Sequence, residues 1–326
     1  MDAGIYAGGA YPSVIHNDQD WAIDCRAARA CADASWQDDS GDFPGGCGAS
    51  GPVRAQVPLP PALATDCVAN NNAAAVLLPD NRTLLQMQPF YRPAPGAPFV
   101  AWYHTGAPNP FPWTLDILGD GALGAHGGSG LSALGGSLRL GELLNTTGAI
   151  THALKLELWA HKYYWWDWAN ASTCHTWPAM GCDSYFADRS IGYNGTNPAL
   201  KPGALLAVPP ARAPAVAAAL ATVPARKILA ALVDYGAYVV DDTGSEAGGG
   251  AFCAEPPVNG EVEAAYGFSI AIDRPLSPSQ GAPFYWDLVR IYQALAVVTN
   301  NGPGAVGGGG VPRAPLAPPI CGAASD

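Results

Sequence analysis

Residues 151–161 read THALKLELWAH, and this stretch decides the fold class that the sequence predicts. Leu154, Leu156 and Leu158 alternate with other residues, so all three lie on one face of a predicted β-strand. The chain holds 39 Gly and 31 Pro, which supply turns between short strands. The pattern predicts a mainly β fold: an antiparallel β-sandwich or jelly roll with two or three helices. Further strand-like segments are RTLLQMQPFYR (82–92), PFVAWYH (98–104), GALLAVPP (203–210) and AYVVDD (237–242).

Helical segments are fewer. The Ala-rich residues 18–36 start with acidic side chains and predict a helix, as do residues 224–236, which end at Gly236. The segment FYWDLVRIYQALAVV (284–298) fits a helix and a strand equally. We therefore expect a Cys-rich N-terminal segment with one helix (1–75), a β-sandwich domain (76–300) and a Gly/Pro-rich C-terminal tail (301–326).

Charged side chains are scarce. They make up 13% of the residues, against roughly 25% in an average globular protein. The net charge of −11 argues against binding to nucleic acid, which needs a basic face. No apolar stretch is long enough for a membrane span, so none is predicted. A surface with so few charges is expected to carry glycans or to pack against other copies of the chain.

Cysteines and glycan acceptor motifs predict the compartment. An even number of cysteines without metal-site spacing predicts four disulfides, with Cys174–Cys182 as the expected local pair. The four N-x-S/T motifs agree with a secreted, extracellular glycoprotein that carries N-linked glycans. No apolar signal segment begins the chain, which we expect to be a mature form. The cysteines are Cys25, Cys31, Cys47, Cys67, Cys174, Cys182, Cys253 and Cys321, and the acceptors are Asn81, Asn145, Asn170 and Asn194.

Three segments form a longer pattern: GSGLSALGGSLRLGELLNTTGAITHALKLELW (128–159), PGALLAVPP (202–210) and RKILAALVDYGAYVVDDTG (226–244). Through them, residues 120–245 resemble a family of uncharacterised secreted bacterial and algal proteins. The resemblance implies a secreted, β-rich fold and assigns no reaction. The Cys-rich start of the chain and the aromatic residues near 163–168 are not part of the shared pattern.

Four residues of this region are candidate catalytic groups: Arg139, Glu142, His152 and Tyr238. His152 shares its strand face with Leu154 by alternation, and a polar group on an apolar face needs a partner. In one interpretation, Arg139 neutralises the carboxylate of a sugar acid, His152 takes a proton and Tyr238 donates one, as in β-elimination of an anionic polysaccharide.

Two alternatives to this lyase remain open. Glu142 would suit a glycoside hydrolase with paired acids if it met Asp241 or Asp242. In the other interpretation, which we favour, these polar groups form a buried hydrogen-bonded cluster that stabilises the sandwich.

Other reaction classes find little support. The loop GAHGGSG (124–130) could line a site, but it matches neither a phosphate-binding loop nor the G-x-S-x-G turn of serine hydrolases. The six histidines show no metal-binding spacing, so neither a metal nor a cofactor is predicted.

The run HKYYWWDW (161–168) is unusually aromatic. On a strand, alternation would divide its aromatic side chains between two faces. Three interpretations stay open: a platform for stacking sugars, a protein interface, or a cover over the core beneath a glycan on Asn170. The side chains concerned are Tyr163, Tyr164, Trp165, Trp166 and Trp168.

Taken together, the sequence leans toward a structural, self-associating subunit of an extracellular filament or wall layer, whose partners are other copies of itself. Scarce charge, the aromatic run, the acceptor motifs and the Gly/Pro-rich tail motivate this hypothesis. The alternatives are a secreted carbohydrate-active enzyme, either a polysaccharide lyase or a glycoside hydrolase, and a sugar-binding module. Whether the chain is an enzyme is left open.

Overall fold

The computed structural model describes residues 122–169, 173–244, 250–255, 258–270 and 283–309 and, before residue 122, the short strands named below with a few residues beside them. The chain divides into two compact units. One consists of Met1–His16, Gly128–Gly130 and Gly135–Pro318, and the other of Asn17–Gly127, Leu131–Leu134 and Pro319–Asp326.

The described strands and helices are as follows. The strands are β1 (Pro12–Ser13), β2 (Trp21–Ile23), β3 (Cys31–Gln37), β4 (Val53–Pro58), β5 (Ala74–Leu77), β6 (Thr83–Met87), β7 (Phe90–Tyr91), β8 (Phe99–Trp102), β9 (Trp113–Asp116), β10 (Leu154–Leu158), β11 (Leu205–Ala207), β12 (Ala237–Asp242), β13 (Gly250–Phe252) and β14 (Ala296–Val297). The helices are α1 (Ala160–Tyr163), α2 (Ala213–Ala219), α3 (Val223–Asp234), α4 (Val258–Tyr266) and α5 (Pro283–Ala294), and a 3₁₀ turn covers Val306–Gly308.

A mixed sheet forms the centre of the first unit. Five strands follow the order β13-β10-β12-β11-β14, and the short β1 pairs with β13 at one edge. β10 and β12 run parallel, with Leu154 opposite Ala237 and Leu158 opposite Asp242, whereas β13 and β11 run antiparallel to them. The register of the parallel pair shifts by one residue after Leu156, at a bulge.

The predicted alternation of β10 is confirmed. Leu154, Leu156 and Leu158 belong to the main apolar core together with side chains of α3 and α5. Each such buried leucine contributes about 2 kcal/mol by removal from water. Lys155 is 2% exposed and Glu157 is fully buried, although they alternate with the leucines. β10 is therefore buried on both faces, as is typical of a central strand in an α/β sheet.

Helix α3 shows how sequence signals set its ends. Its start is stabilised by Asp287 of α5, which is fully buried and accepts hydrogen bonds from the backbone N–H groups of Ala221 (3.0 Å) and Thr222 (2.8 Å). The carboxylate thus binds the two N–H groups that immediately precede the helix, and its negative charge interacts favourably with the helix dipole. The helix ends at Asp234, two residues before the predicted stop at Gly236. Gly236 has a φ of 77°, and a Cβ there would come within 2.7 Å of the Leu206 carbonyl oxygen.

The second unit contains two four-stranded sheets. Their strand orders are β2-β5-β6-β9 and β4-β3-β8-β7. β5 and β6 form an antiparallel pair with Val76 opposite Leu85, and both side chains are buried. The Arg82 guanidinium donates to Asp116 Oδ2 at 2.6 Å across the neighbouring pair of strands.

The predicted antiparallel β-sandwich or jelly roll is wrong. The fold is mixed α/β, with a parallel strand pair and helices in the core of the first unit. The leucine face of β10 packs with α3 and α5, where a sandwich would place a second sheet. The helix predicted over residues 18–36 is also wrong, because β2 and β3 form there. Most of the ambiguous segment 284–298 is helix α5, and its end forms β14.

None of the helices in the described ranges has both the length and the apolar character needed to cross a lipid bilayer.

Candidate functional site

Two predicted catalytic residues, Glu142 and His152, form a direct pair. His152 Nε2 lies 2.9 Å from Glu142 Oε1, and His152 Nδ1 lies 2.9 Å from the Ala153 carbonyl oxygen. The other carboxylate oxygen of Glu142 accepts a hydrogen bond from the Arg139 backbone N–H at 2.8 Å. Glu142 therefore links the turn at Arg139 to the residues just before β10.

The turn that carries Glu142 is also held from two helices. Lys227 of α3 places Nζ 2.6 Å from each of three acceptors: the carbonyl oxygens of Glu142 and Leu144 and the Thr147 hydroxyl. Glu261 of α4 accepts from the Gly141 N–H at 2.8 Å. Such satisfied contacts agree with the interpretation of this region as a stabilising polar cluster.

Tyr238, the fourth catalytic candidate, makes a different contact. Its hydroxyl donates to Asn301 Oδ1 at 3.2 Å, and burial raises the pKa of this phenol. The Tyr238 hydroxyl thus turns toward Asn301 and not toward His152. Among the described residues, no hydrogen bond joins Tyr238 to His152, so these two groups do not form the proposed proton-transfer pair.

The condition for a paired-acid site at Glu142 is not met either. Glu142 bonds to His152, two residues before β10 begins, whereas Asp241 and Asp242 end β12. Because β10 and β12 are parallel, these groups lie at opposite ends of the strands. The separation is roughly the length of the five-residue strand β10, about 16 Å.

The carboxyl ends of β10 and β12 carry a different constellation, which we call the acidic cluster. Ligands of open α/β sheets bind outside this end of parallel strands. The acidic cluster consists of Asp183, Asp241 and Asp242 with Tyr164, Tyr185 and Tyr193.

Asp242 is the most heavily hydrogen-bonded carboxylate of the acidic cluster. Its Oδ1 accepts from the backbone N–H groups of Ala160 (2.8 Å) and Gly244 (2.9 Å), and its Oδ2 accepts from the Tyr185 hydroxyl (2.7 Å). Asp241 Oδ1 accepts from the Asp242 N–H at 2.9 Å. Two adjacent carboxylates are thus fixed at the end of one strand.

Tyrosine hydroxyls connect the strand end to Asp183. Tyr164 is fully buried and donates to the carbonyl oxygen of Asp241. Its ring meets the ring of Tyr193 edge to face, with centroids 5.2 Å apart. Tyr193 in turn donates to Asp183 Oδ2 at 2.6 Å. The aromatic pair therefore fixes Asp183, which lies in an irregular segment, next to the sheet.

The pKa values of several groups in the acidic cluster are raised. Burial, together with the negative charge of Asp242, raises the pKa of Asp183 to about 6, although the hydrogen bond from Tyr193 acts in the opposite direction. Burial and the neighbouring carboxylates also raise the pKa values of Tyr185 and Tyr193. Asp183 is thus half protonated near pH 6, well above the range of an ordinary aspartate.

Gly128 explains how the backbone approaches Asp183 so closely. A Cβ at this position would lie 2.5 Å from both the backbone nitrogen and Oδ1 of Asp183. The Gly128 N–H also lies 3.3 Å from Asp241 Oδ1. The prediction that the Gly-rich loop lines a site thus gains support from its glycine at the acidic cluster.

One predicted disulfide is confirmed: Cys174 is joined to Cys182. The bridge closes a small ring that ends one residue before Asp183 and contains His175, whose Nδ1 lies 3.7 Å from Cys182 Sγ. Cys253, in contrast to the predicted disulfide, keeps a buried thiol that donates to Glu157 Oε1 at 3.2 Å. The side chains of Cys25, Cys31, Cys47, Cys67 and Cys321 lie outside the described residues.

A pocket of about 220 Å³ lies beside β11 and β14 in the same unit. Polar side chains on its wall include His175, Lys201 and Asn301, and its apolar side includes Trp177 and Val297. The ring closed by Cys174 and Cys182 therefore contributes to the pocket through His175 and leads directly into Asp183.

The aromatic run is used within the chain. Residues 160–163 form helix α1, so the predicted strand alternation is wrong there. Tyr163 and Tyr164 are buried, Trp166 meets Phe186 edge to face, and Trp165 and Trp168 carry cations over their rings. The cations are Lys201, at 4.6 Å from the Trp165 ring, and Arg189, at 4.3 Å from the Trp168 ring. Of the three interpretations, these contacts favour a cover over the core.

Two glycan acceptors are described. Asn145 and Asn194 are exposed, but Asn194 Nδ2 lies 3.2 Å from His161 Nδ1 and 3.3 Å from the Arg189 carbonyl oxygen. A glycan on Asn194 Nδ2 would disturb these contacts. Asn81 and Asn170 lie outside the described residues.

Sequence reasoning missed Asp183, Tyr185, Tyr193 and Lys201. All four lie in the irregular segment after Cys174, where no periodicity points to a partner. The available signal was the Asp241–Asp242 pair, because consecutive carboxylates at the end of a buried parallel strand mark the edge where ligands bind.

No family model, curated protein or solved structure matches the chain, so the resemblance of residues 120–245 to secreted bacterial and algal proteins stays an expectation.

Proposed function

We propose that this protein is a secreted glycoside hydrolase whose general acid is Asp183. The observation that carries the proposal is the pKa of about 6 that burial and Asp242 give to the Asp183 carboxyl group. Enzymes that cleave glycosidic bonds combine a protonated carboxyl group with a second carboxylate. The sheet edge adds support, because it is where α/β enzymes place their sites.

Asp183 and Asp242 have different roles in this proposal. Asp183 gives its proton to the oxygen of the leaving sugar as the glycosidic C–O bond breaks, and a water molecule then adds to the sugar carbon and returns a proton to the Asp183 carboxylate. Asp242 keeps its charge in place through the hydroxyl of Tyr185 and two backbone N–H groups, and stabilises the positive charge that develops on the sugar ring. Asp183 and Tyr185 are partly exposed, whereas Asp241 and Asp242 are buried, so substrate would approach from the side of Asp183.

Secretion is part of the same proposal. The Cys174–Cys182 disulfide supports it, because disulfides persist in oxidising compartments. The exposure of Asn145 agrees with glycosylation there.

The test is to incubate the purified full chain with a panel of neutral and uronic-acid polysaccharides. Hydrolysis is measured as the release of reducing ends. We expect Asp183→Asn to lower kcat/KM about 10²–10⁴-fold, since it removes the transferable proton. The wild-type rate should fall as pH rises through about 6, where Asp183 loses that proton.

Asp188→Asn is the matched control. Asp188 is an exposed aspartate five positions along the chain, and its Oδ1 accepts from the Ser190 N–H at 2.7 Å and from the Ser190 hydroxyl at 2.6 Å instead of from a side chain of the acidic cluster. It should retain full activity. Equal activity of the two variants, or no hydrolysis of any polymer by folded wild-type protein, would contradict the proposal.

The self-associating subunit stays a prediction based on composition. Its aromatic argument is weaker, because the run 161–168 packs within the chain, and its tail argument rests on residues beyond 309, outside the described ranges. Sedimentation velocity over a range of concentrations tests it directly: a monomer at every concentration would contradict self-association.

A further inference from the structure

The pocket beside β11 and β14 has a distinctive charge. Lys201 is a cation on its wall, and no Asp or Glu is found among the described residues that line it. The charge that Lys201 gives this lining is opposite in sign to the net charge of −11 of the whole chain. Such a pocket favours an anionic ligand.

The ammonium group of Lys201 is held in position. It donates to the Thr173 carbonyl oxygen at 2.8 Å and lies 4.6 Å from the centroid of the Trp165 ring. These two contacts restrict a side chain that is otherwise flexible. An ammonium has three N–H donors, so binding to Thr173 leaves donor capacity for a ligand.

Hydroxyl and amide groups surround the cation. Thr173, Thr176 and Thr299 line the pocket, and their hydroxyls have no protein partner within the described part of the chain. Asn301 Oδ1 accepts from the Tyr238 hydroxyl (3.2 Å) and the Gly307 N–H (3.0 Å), which orients its amide. The Nδ2 group of Asn301 is the end that these two bonds do not use. The lining thus offers several donors and acceptors to a hydroxyl-rich ligand.

The remaining wall is apolar. Trp177, Val297 and Val298 contribute to it. A sugar ring presents hydroxyls at its rim and C–H groups on its faces, so it needs both kinds of wall. A simple anion such as acetate would use the cation alone.

We propose that this pocket binds a uronic acid, with the carboxylate paired to Lys201, the hydroxyls on the threonines and Asn301, and the ring face on Trp177. In naming a substrate class, the inference rests on the proposed hydrolase. Binding itself can be measured without any catalytic step.

The protonation of the lining agrees with this ligand. Burial lowers the pKa of Lys201, while Asp167 acts weakly in the opposite direction. A bound carboxylate would offset that desolvation. Burial and the Lys201 charge lower the pKa of His175, so its ring is neutral at pH 7 and can donate one hydrogen bond and accept another.

Isothermal titration calorimetry with the full chain tests the proposal. The ligands are galacturonate and glucuronate, compared with galactose, glucose and acetate. We expect each uronate to bind at least about tenfold more tightly than its neutral counterpart and than acetate, since it alone uses both the cation and the polar rim.

Lys201→Met should weaken uronate binding at least about tenfold, and Lys201→Arg should restore part of it. Lys162→Met is the matched control, because Lys162 also lies over an aromatic ring, 5.5 Å from the centroid of Tyr163, but does not line the pocket. This control should bind like the wild type.

The outcomes separate this inference from the proposed function. No uronate binding to folded protein, equal binding by Lys201→Met, or equally tight binding of acetate would overturn the pocket assignment, whatever the activity. Asp183→Asn should still bind uronate. Uronate binding that depends on Lys201, without hydrolysis of any polymer, would sustain the pocket and remove the hydrolase.

Discussion

The two ends of the parallel strands β10 and β12 carry polar groups of opposite character. At the start of β10, Glu142 and His152 form a pair between an acid and a base, 2.9 Å apart, which the surrounding backbone also binds. At the other end, the carboxyl groups of Asp183, Asp241 and Asp242 lie in one cluster, and burial together with the negative charge of Asp242 raises the pKa of Asp183. Residue type alone made the first end resemble a catalytic site, but its contacts are those of a structural link.

The difference between the two ends helps to distinguish a structural polar cluster from a functional one. Complementary groups that satisfy one another lower the energy of the fold, so they need no further explanation. Like charges brought together during folding raise it, and clusters of that kind concentrate at functional sites. The comparison predicts that damage at the two ends has different consequences, which the following experiments measure.

The largest effect on stability should come from opening the ring beside the acidic cluster. Replacing Cys174 and Cys182 together with serine should lower the free energy of unfolding by about 2–3 kcal/mol, the loop entropy for so short a ring. Chemical denaturation measures the change. The Asp183 pKa should also shift, whereas the Glu142–His152 end should be unaffected.

NMR titration of the carboxyl groups would measure the predicted shift of the Asp183 pKa in the double variant. An unchanged Asp183 pKa in the double variant would show that the tyrosines alone hold the acid in place.

The next effect is a dependence of stability on pH. The pKa of Asp183 is raised to about 6, above the unfolded value of about 3.9. The native state therefore binds more protons between these values, and stability falls as pH rises from about 4 to about 6. Relative to Asp183→Asn, the wild type should lose about 2 kcal/mol across that window and then level off.

Denaturation curves of both proteins at pH 4, 5, 6 and 7 give this difference directly. A constant difference across the series would contradict the raised pKa.

At the opposite end, Glu142→Gln should cost about 1 kcal/mol of stability, because a charged acceptor of two hydrogen bonds becomes a neutral one. Activity on the polysaccharide panel should stay within about twofold of wild type. Glu263→Gln serves as the control, since Glu263 is exposed on α4 and accepts from Asn259 at 3.1 Å. A hundredfold loss of activity in Glu142→Gln would move the catalytic site back to this end.

The smallest effect concerns glycan occupancy. Asn145 should be modified more completely than Asn194, whose Nδ2 contacts His161 and the Arg189 carbonyl oxygen. Mass spectrometry of glycopeptides from the chain expressed through a eukaryotic secretory pathway measures both sites. Higher occupancy at Asn194 would mean that these contacts form only after modification.

Local sequence patterns predicted several strands and helices, but they predicted neither how the strands pair nor which residues gather at the ends of the strands. Alternation identified β10, and helical spacing with Gly236 identified α3, because both depend on nearby residues. The parallel pairing of β10 with β12 joins distant segments, so the sequence was assigned to a sandwich. Asp183 could not be found by pattern, since its partners Tyr193 and Asp242 meet it only in the folded chain.

The ring closed by Cys174 and Cys182 has a consequence for products. The Cα atoms of the two cysteines lie 6.1 Å apart, and adjacent Cα atoms are 3.8 Å apart, so His175 and Asp183 cannot be separated by more than about 14 Å. His175 lines the pocket, and Asp183 is the general acid of the proposed hydrolase. A polymer anchored by a terminal sugar acid would thus be cut at a constant number of units from that end. Digestion would then yield short fragments of nearly uniform length, and the bridge would serve as a molecular ruler.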